Sequence, residues 1–434
     1  MKIFLQSSLV NPHKKVPFEE VGNWTTIEYH HHMIVTALVL AQQAVAPIQN
    51  LDDYLKLDTG KPSWSLGPKS SQFVELRLTS LTWQGDQWHH EIVIAGSKIN
   101  SDVVILNLTG DRMESTMDDF TALFSKQTRL PVVTVYGVPN QPVFGVREDE
   151  LVSIGYTKFF STQDNTWPLL LPMTKSALRA MDAIQEWSKG KIKKFIVTGT
   201  SKRGATSWLV ASTGDKRIVG IVPMVADTMM DFTRQLETCK KEWGYLSPII
   251  PEFKTFNPIP FFKSPRGVQL SKLQDPYFQL SKVKVPALII NATNDQFTVI
   301  DSTKLYWDDI KSPKIFKMIP NETHFFAIPN ARHGGYSRAA SIDAMNAVRF
   351  FADCLTGTDK LGLPNIEDKS DPRRRGTRTW GVAGETAWVQ ESKWSPNIPS
   401  SSAPFTATFE DVTYTSNGYS ASFSSLVTTK RQQK

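Results

Sequence analysis

Residues 195–208 read FIVTGTSKRGATSW. The apolar run Phe195-Ile196-Val197 leads to Gly199, Ser201 follows two residues on, and Gly204 stands just before a helical pattern that starts at Ala205. A serine on a tight strand-to-helix turn, with glycines where the backbone is crowded, is how an α/β hydrolase lifts its nucleophile above a sheet. The usual spacing is G-x-S-x-G. Here the second glycine comes one residue late, and an ordinary βα turn with a serine in it reads equally well. The order of the flanking elements has to decide.

Upstream, residues 73–83 (FVELRLTSLTW) alternate apolar and polar, 84–86 (QGD) is a turn signal, and 88–95 returns as a second strand. That is an antiparallel hairpin. His89 and His90 are neighbours on it and point to opposite faces, which argues against a shared metal. Residues 103–108 (VVILNL) and 131–136 (PVVTVY) are near-continuous apolar runs, as strands buried on both faces require. A helix is expected between them, at about 115–126. Residues 51–66 and 137–167 read as irregular. Residues 172–187 are helical, with Ala177, Met181, Ile184 and Trp187 on one face. A hairpin followed by βα repeats predicts a mostly parallel sheet flanked by helices, with Ser201 after the fifth strand. Functional groups gather at the carboxyl ends of such strands.

Downstream, 218–225 is a further strand. No strand is evident between 226 and 285, so residues of about 227–285 read as a lid-like insertion. Residues 286–291 (PALIIN) form a buried strand that leads to Asp295. An acid there fits the chain order Ser, Asp, His of this fold. Asp301 is its rival. Two histidines compete for the base: His324 in PNETH, directly after a strand at 314–319, and His333 in PNARH, closer to a helix at 337–355. The domain plan is an N-terminal extension (1–46), an α/β-hydrolase domain (47–357), a charged linker (358–378), and a small β module with a polar tail (379–434). Strand-like runs in that module include TAWVQ and FTATFEDVTY.

Composition bounds the function. The chain has 49 Lys and Arg against 42 Asp and Glu, a net charge of +7. That excess is too mild and too dispersed for a nucleic-acid surface. The run Arg373-Arg374-Arg375 reads as a solvated face. Two cysteines, Cys239 and Cys354, permit one bridge and exclude a disulfide scaffold. Residues 33–46 (MIVTALVLAQQAVA) end in an A-x-A pattern and resemble a signal peptide, which predicts secretion. The run is too short to span a bilayer, so no stable membrane insertion is expected. Sequons stand at Asn23, Asn107, Asn291 and Asn321, the last three at expected strand ends. The twelve tryptophans read first as core. No metal site and no cofactor are expected: the histidine run His30-His31-His32 has no second ligand group nearby.

Several stretches resemble the PhoPQ-activated pathogenicity-related proteins, a family that includes the autocrine proliferation repressors of amoebae. They are VYGVPNQPVFGVREDE (135–150), WPLLLPMTKSALRAMDAIQ (167–185), VTGTSKRGATSWL (197–209), DPYF (275–278), INATNDQFTVIDS (290–302) and PKIFKMIPNETH (313–324). The resemblance implies an α/β-hydrolase triad of Ser201, Asp295 and His324, and so favours His324 over His333. Ala205 stands where the family usually has tryptophan, and Gln296 and Thr298 where it has an acid and a second phenylalanine.

The expected activity is serine-dependent hydrolysis of a small-molecule or peptide ester or amide. The oxyanion donors are expected at Lys202 and near Gly110. Arg203 either adds positive charge to the pocket or pairs with a loop such as REDE (147–150). The alternative is a secreted signalling or binding protein on a hydrolase scaffold, acting through a cell-surface receptor. A weaker third is carbohydrate binding through the tryptophans and the C-terminal module.

Overall fold

The computed structural model describes residues 48–112, 116–247, 257–329, 334–396 and 402–432. The signal-like run 33–46 and His333 lie outside the described residues.

The apolar runs of the sequence assemble into one nine-stranded sheet. In chain order its strands are β1 (Ser63–Leu66), β2 (Val74–Trp83), β3 (Asp86–Ala95), β4 (Val103–Leu108), β5 (Val132–Val135), β6 (Lys194–Thr200), β7 (Ile218–Met224), β8 (Ala287–Asn294) and β9 (Lys314–Thr323). In space the order is β1-β2-β3-β5-β4-β6-β7-β8-β9. β2 and β3 form the expected hairpin, closed by Gln84 and Gly85, both at positive φ. That conformation suits a two-residue hairpin turn. His89 and His90 do face opposite ways, His89 exposed and His90 buried. From β4 to β9 every sheet pairing is parallel.

This is the α/β-hydrolase architecture, and its strand order locates the working end. The chain moves outward from β4 to β5, then returns to the other side of β4 with β6. Ligand sites of open α/β sheets form at such a switch point, beyond the carboxyl ends of the strands. Gly110 follows β4 and Ser201 follows β6, so they flank it.

Helices cover the sheet: α1 (Leu51–Lys56), α2 (Thr116–Thr128), α3 (Glu148–Thr162), α4 (Leu170–Trp187), α5 (Lys202–Ser212) and α9 (Arg338–Thr356). The insertion between β7 and β8 is helical, with α6 (Phe232–Trp243), α7 (Ile259–Lys263) and α8 (Pro265–Gln274). α4 buries Met173, Ala177, Ala180, Met181 and Ile184 along one face. Trp83, Trp88, Trp208 and Trp394 are fully buried, so these tryptophans are core. Burial of a side chain of this kind contributes roughly 2–3 kcal/mol.

The structure departs from the sequence reading in four places. Residues 51–66 carry α1 and the short edge strand β1, so Ser201 follows the sixth strand. Residues 137–167 contain α3, which buries Leu151, Gly155 and Phe159 at four-residue spacing. TAWVQ is not a strand; the C-terminal sheet is instead β10 (Arg374–Gly384), β11 (Phe405–Ser416), β12 (Tyr419–Ser424) and β13 (Thr428–Arg431). The charged stretch 358–378 is no free tether: Arg373 is buried and paired with Asp371 (2.6 Å) and Asp359 (3.0 Å).

The C-terminal sheet packs on the main one. Lys317 of β9 is fully buried, with its Nζ 3.0 Å from Asp343, 3.3 Å from Asp411 and 2.5 Å from the Ser422 hydroxyl. A lysine so buried is costly unless it is paired and hydrogen-bonded, as it is here. Asn107 on β4, the buried Asn291 on β8 and Asn321 on β9 are all engaged within the fold, which leaves these sequons unsuited to glycans. Cys239 and Cys354 are both free. No helix among the described residues is long and apolar enough to cross a membrane.

Candidate active site

Ser201 sits between the end of β6 and the start of α5 with φ 57° and ψ −127°. A non-glycine residue at positive φ is strained and persists only where its surroundings hold it. Three contacts do so. The Ser201 N–H donates to the Met224 carbonyl on the neighbouring strand (2.9 Å), and the Ser201 carbonyl accepts from Ala205 N–H (3.0 Å). The two glycines supply the third. A Cβ on Gly199 would lie 2.6 Å from the Cβ of Arg203, and one on Gly204 2.8 Å from the Cβ of Ala226 and 3.0 Å from the Gly199 carbonyl. The late glycine is therefore the one that lets α5 approach β6 and β7.

Asp295 and His324, the expected acid and base, are brought together. Asp295 follows β8 and His324 follows β9, and His324 Nδ1 lies 2.8 Å from Asp295 Oδ2. Both are buried. Asp295 Oδ1 accepts from Phe297 N–H (2.9 Å), which fixes the carboxylate. The rings of Phe297 and Phe325 pack on the imidazole at centroid distances of 4.4 and 5.3 Å. Asp301 instead accepts from the Thr429 hydroxyl (3.0 Å). Among the described residues no hydrogen bond joins Ser201 Oγ to His324; such bonds are commonly long without substrate and tighten when it binds.

Segment 390–394 of the C-terminal module braces both loops. Gln390 donates to the Thr298 carbonyl (3.0 Å), and Asn294 donates to the Ser392 carbonyl (3.2 Å). Asn321 exchanges two bonds with the Trp394 backbone, at 3.0 and 2.7 Å.

Lys202 opens α5, and first-turn N–H groups have no partner within their helix. Its side chain is buried, with Nζ 2.8 Å from both Glu148 and Asp149 of α3. Arg203, also buried, makes a two-pronged bond to Glu148, each prong 2.8 Å. Of the two roles expected for Arg203, the structure thus has the ion pair with the REDE loop: its charge is neutralised rather than presented to a pocket. Burial pushes the Glu148 carboxyl up, but Arg203 and Lys202 outweigh it and hold Glu148 well below the usual range. Lys202, with a smaller contribution from His324, holds Asp149 down as well. Gly110 packs against this cluster, its missing Cβ 2.8 Å from an Arg203 nitrogen and 3.0 Å from Glu148. The Gly110 carbonyl accepts from Gly137 N–H (2.7 Å). A polar groove of about 470 Å³, lined by Asp111, Asn140, Gln141 and Arg147 among others, borders the loop that carries Gly110. The REDE run was expected only as one alternative for Arg203; that it also takes the Lys202 side chain, through Glu148 and Asp149, was not.

Comparison with known proteins places the chain. The family described as PhoPQ-activated pathogenicity-related protein matches residues 51–370. Autocrine proliferation repressor protein A of Dictyostelium discoideum is 26% identical over 308 residues, 65% of this chain and 60% of that protein. The chain thus spans less than two-thirds of that relative's length. An acetyl xylan esterase from Thermoanaerobacterium sp. JW/SL YS485 is similar at 17% identity and a TM-score of 0.45, over 67% of this chain and 93% of the esterase. A Pyrococcus horikoshii acylaminoacyl peptidase is similar at 12% identity and a TM-score of 0.39, over 69% of this chain and 42% of the peptidase. Likenesses that remote say nothing about substrate. The match over 51–370, which includes the Ser201 turn, the Asp295 loop and His324, makes this chain a member of the PhoPQ-activated pathogenicity-related protein family.

Proposed function

We propose that this chain is a serine hydrolase acting on an ester or amide of a small molecule or peptide. The observation that carries the reading is the buried His324–Asp295 pair, 2.8 Å apart, at the same sheet end as a serine held at φ 57°. In the reaction His324 takes the proton of Ser201 Oγ as the oxygen attacks the carbonyl carbon. Asp295 keeps Nδ1 protonated and stabilises the imidazolium that forms. The negative oxygen of the tetrahedral species is met by the Lys202 N–H at the helix start and by an N–H of the Gly110 loop. His324 then returns its proton to the leaving group, and water repeats the cycle on the acyl-serine. The apolar run ending in Ala44-Val45-Ala46 supports export of the protein.

The experiment is hydrolysis of p-nitrophenyl esters of increasing chain length by wild type, Ser201→Ala and His324→Ala. Turnover by wild type that both substitutions abolish supports the reading, and equal turnover by all three sinks it. The second reading, a secreted binding protein on this scaffold, is favoured by the relative's name as a proliferation repressor. It predicts no turnover by wild type, and receptor binding unchanged by Ser201→Ala.

A further inference from the structure

The geometry points to the acidic pair Glu148–Asp149, at the start of α3, as a positioning element for the nucleophile turn, a role that rests on Ser201 being the nucleophile. Glu148 takes both residues that follow Ser201: Lys202 at 2.8 Å and Arg203 through two bonds of 2.8 Å. It is itself held. Gln141 Nε2 donates to Glu148 Oε1 (2.6 Å), and Glu148 N–H donates to Gln141 Oε1 (2.9 Å). The residue adopts φ 51°, a strained conformation that this two-way bond maintains. One carboxylate thereby fixes the first turn of α5 against the loops after β4 and β5.

Asp149 does something different. Its side chain is 66% exposed, and it joins Lys202 at 2.8 Å. The charged groups around the pair are Lys202 and Arg203 from α5, Asp111 after β4 and Arg147 before α3. Two buried cations directly follow Ser201, and the two carboxylates neutralise them, so that the turn is held by paired rather than isolated buried charges.

The test uses the full chain and a fluorophosphonate, with the labelling rate measured at one pH for wild type, Glu148→Gln, Glu148→Asp and Asp149→Asn. Circular dichroism and thermal melts check folding. Glu148→Gln is expected to slow labelling at least about tenfold, with Glu148→Asp recovering part of the loss. Asp149→Asn, which leaves Glu148 on both cations, is expected to slow labelling less than Glu148→Gln does. A merely structural role would lower the melting temperature without slowing labelling of the folded protein. If Glu148→Gln fails to fold, the labelling rate of folded Glu148→Asp against wild type decides. Folded variants that label at the wild-type rate overturn the positioning role and leave the hydrolase reading standing. A folded wild type that does not label overturns both.

Discussion

His324 Nδ1 and Asp295 Oδ2 lie 2.8 Å apart, although 29 residues separate them, because β8 and β9 are parallel neighbours that end together. The second oxygen of Asp295 is tied to the Phe297 backbone. Asparagine at 295 preserves that tie and the shape of the loop, but presents the imidazole with the wrong partner. Asp295→Asn is expected to lower kcat by roughly three to four orders of magnitude with the thermal melt nearly unchanged. Steady-state kinetics on an activated ester beside a melting curve checks this.

The glycines of the turn make a separate prediction about stability. Gly199 has no room for a methyl group: its Cβ would meet Arg203 Cβ at 2.6 Å and the Arg203 backbone at 2.9 Å. Gly199→Ala is expected to cost about 1–3 kcal/mol in urea unfolding, the usual range for overpacking. Gly214, at φ 73° with open space around its Cβ position, is a control in which only backbone strain acts.

His90 gives the fold a pH dependence. It is fully buried, its Nε2 2.7 Å from the Ser80 hydroxyl and its Nδ1 donating to the Tyr136 carbonyl at 3.1 Å. Burial lowers its pKa from 6.5 to about 4. Between those values the unfolded chain binds a proton that the native one refuses. The contribution of His90 is complete above pH 6.5 and is lost as pH falls toward 4, an effect of roughly 3 kcal/mol. The slope of stability against pH across that window is expected to flatten in His90→Gln, as read from urea midpoints.

How far the sequence carried this picture depends on how local each signal is. The strand runs VVILNL and PALIIN, the Ser201 turn and the order of acid and base are local patterns, and each appears in the structure where its pattern lies. Helix α3 was hidden because 137–167 carries prolines and an EDE run, and only Leu151, Gly155 and Phe159 mark its buried face. The partner of Arg203 lies 55 residues away, and nothing local chooses between pocket charge and Glu148. FTATFEDVTY is strand β11, but β10 was missed because it begins inside an arginine run, where a solvated coil is the default expectation. His324 was preferred to His333 through the family resemblance, and it is His324 that meets Asp295.

The central claim is that Ser201 is a nucleophile. Its most direct measurement is peptide mapping by mass spectrometry after reaction of the full chain with a fluorophosphonate. The account predicts one phosphonyl adduct, on the peptide containing Ser201, absent in Ser201→Ala and strongly reduced in His324→Ala. A folded, unmodified protein, or an adduct on another residue that persists in Ser201→Ala, would contradict it.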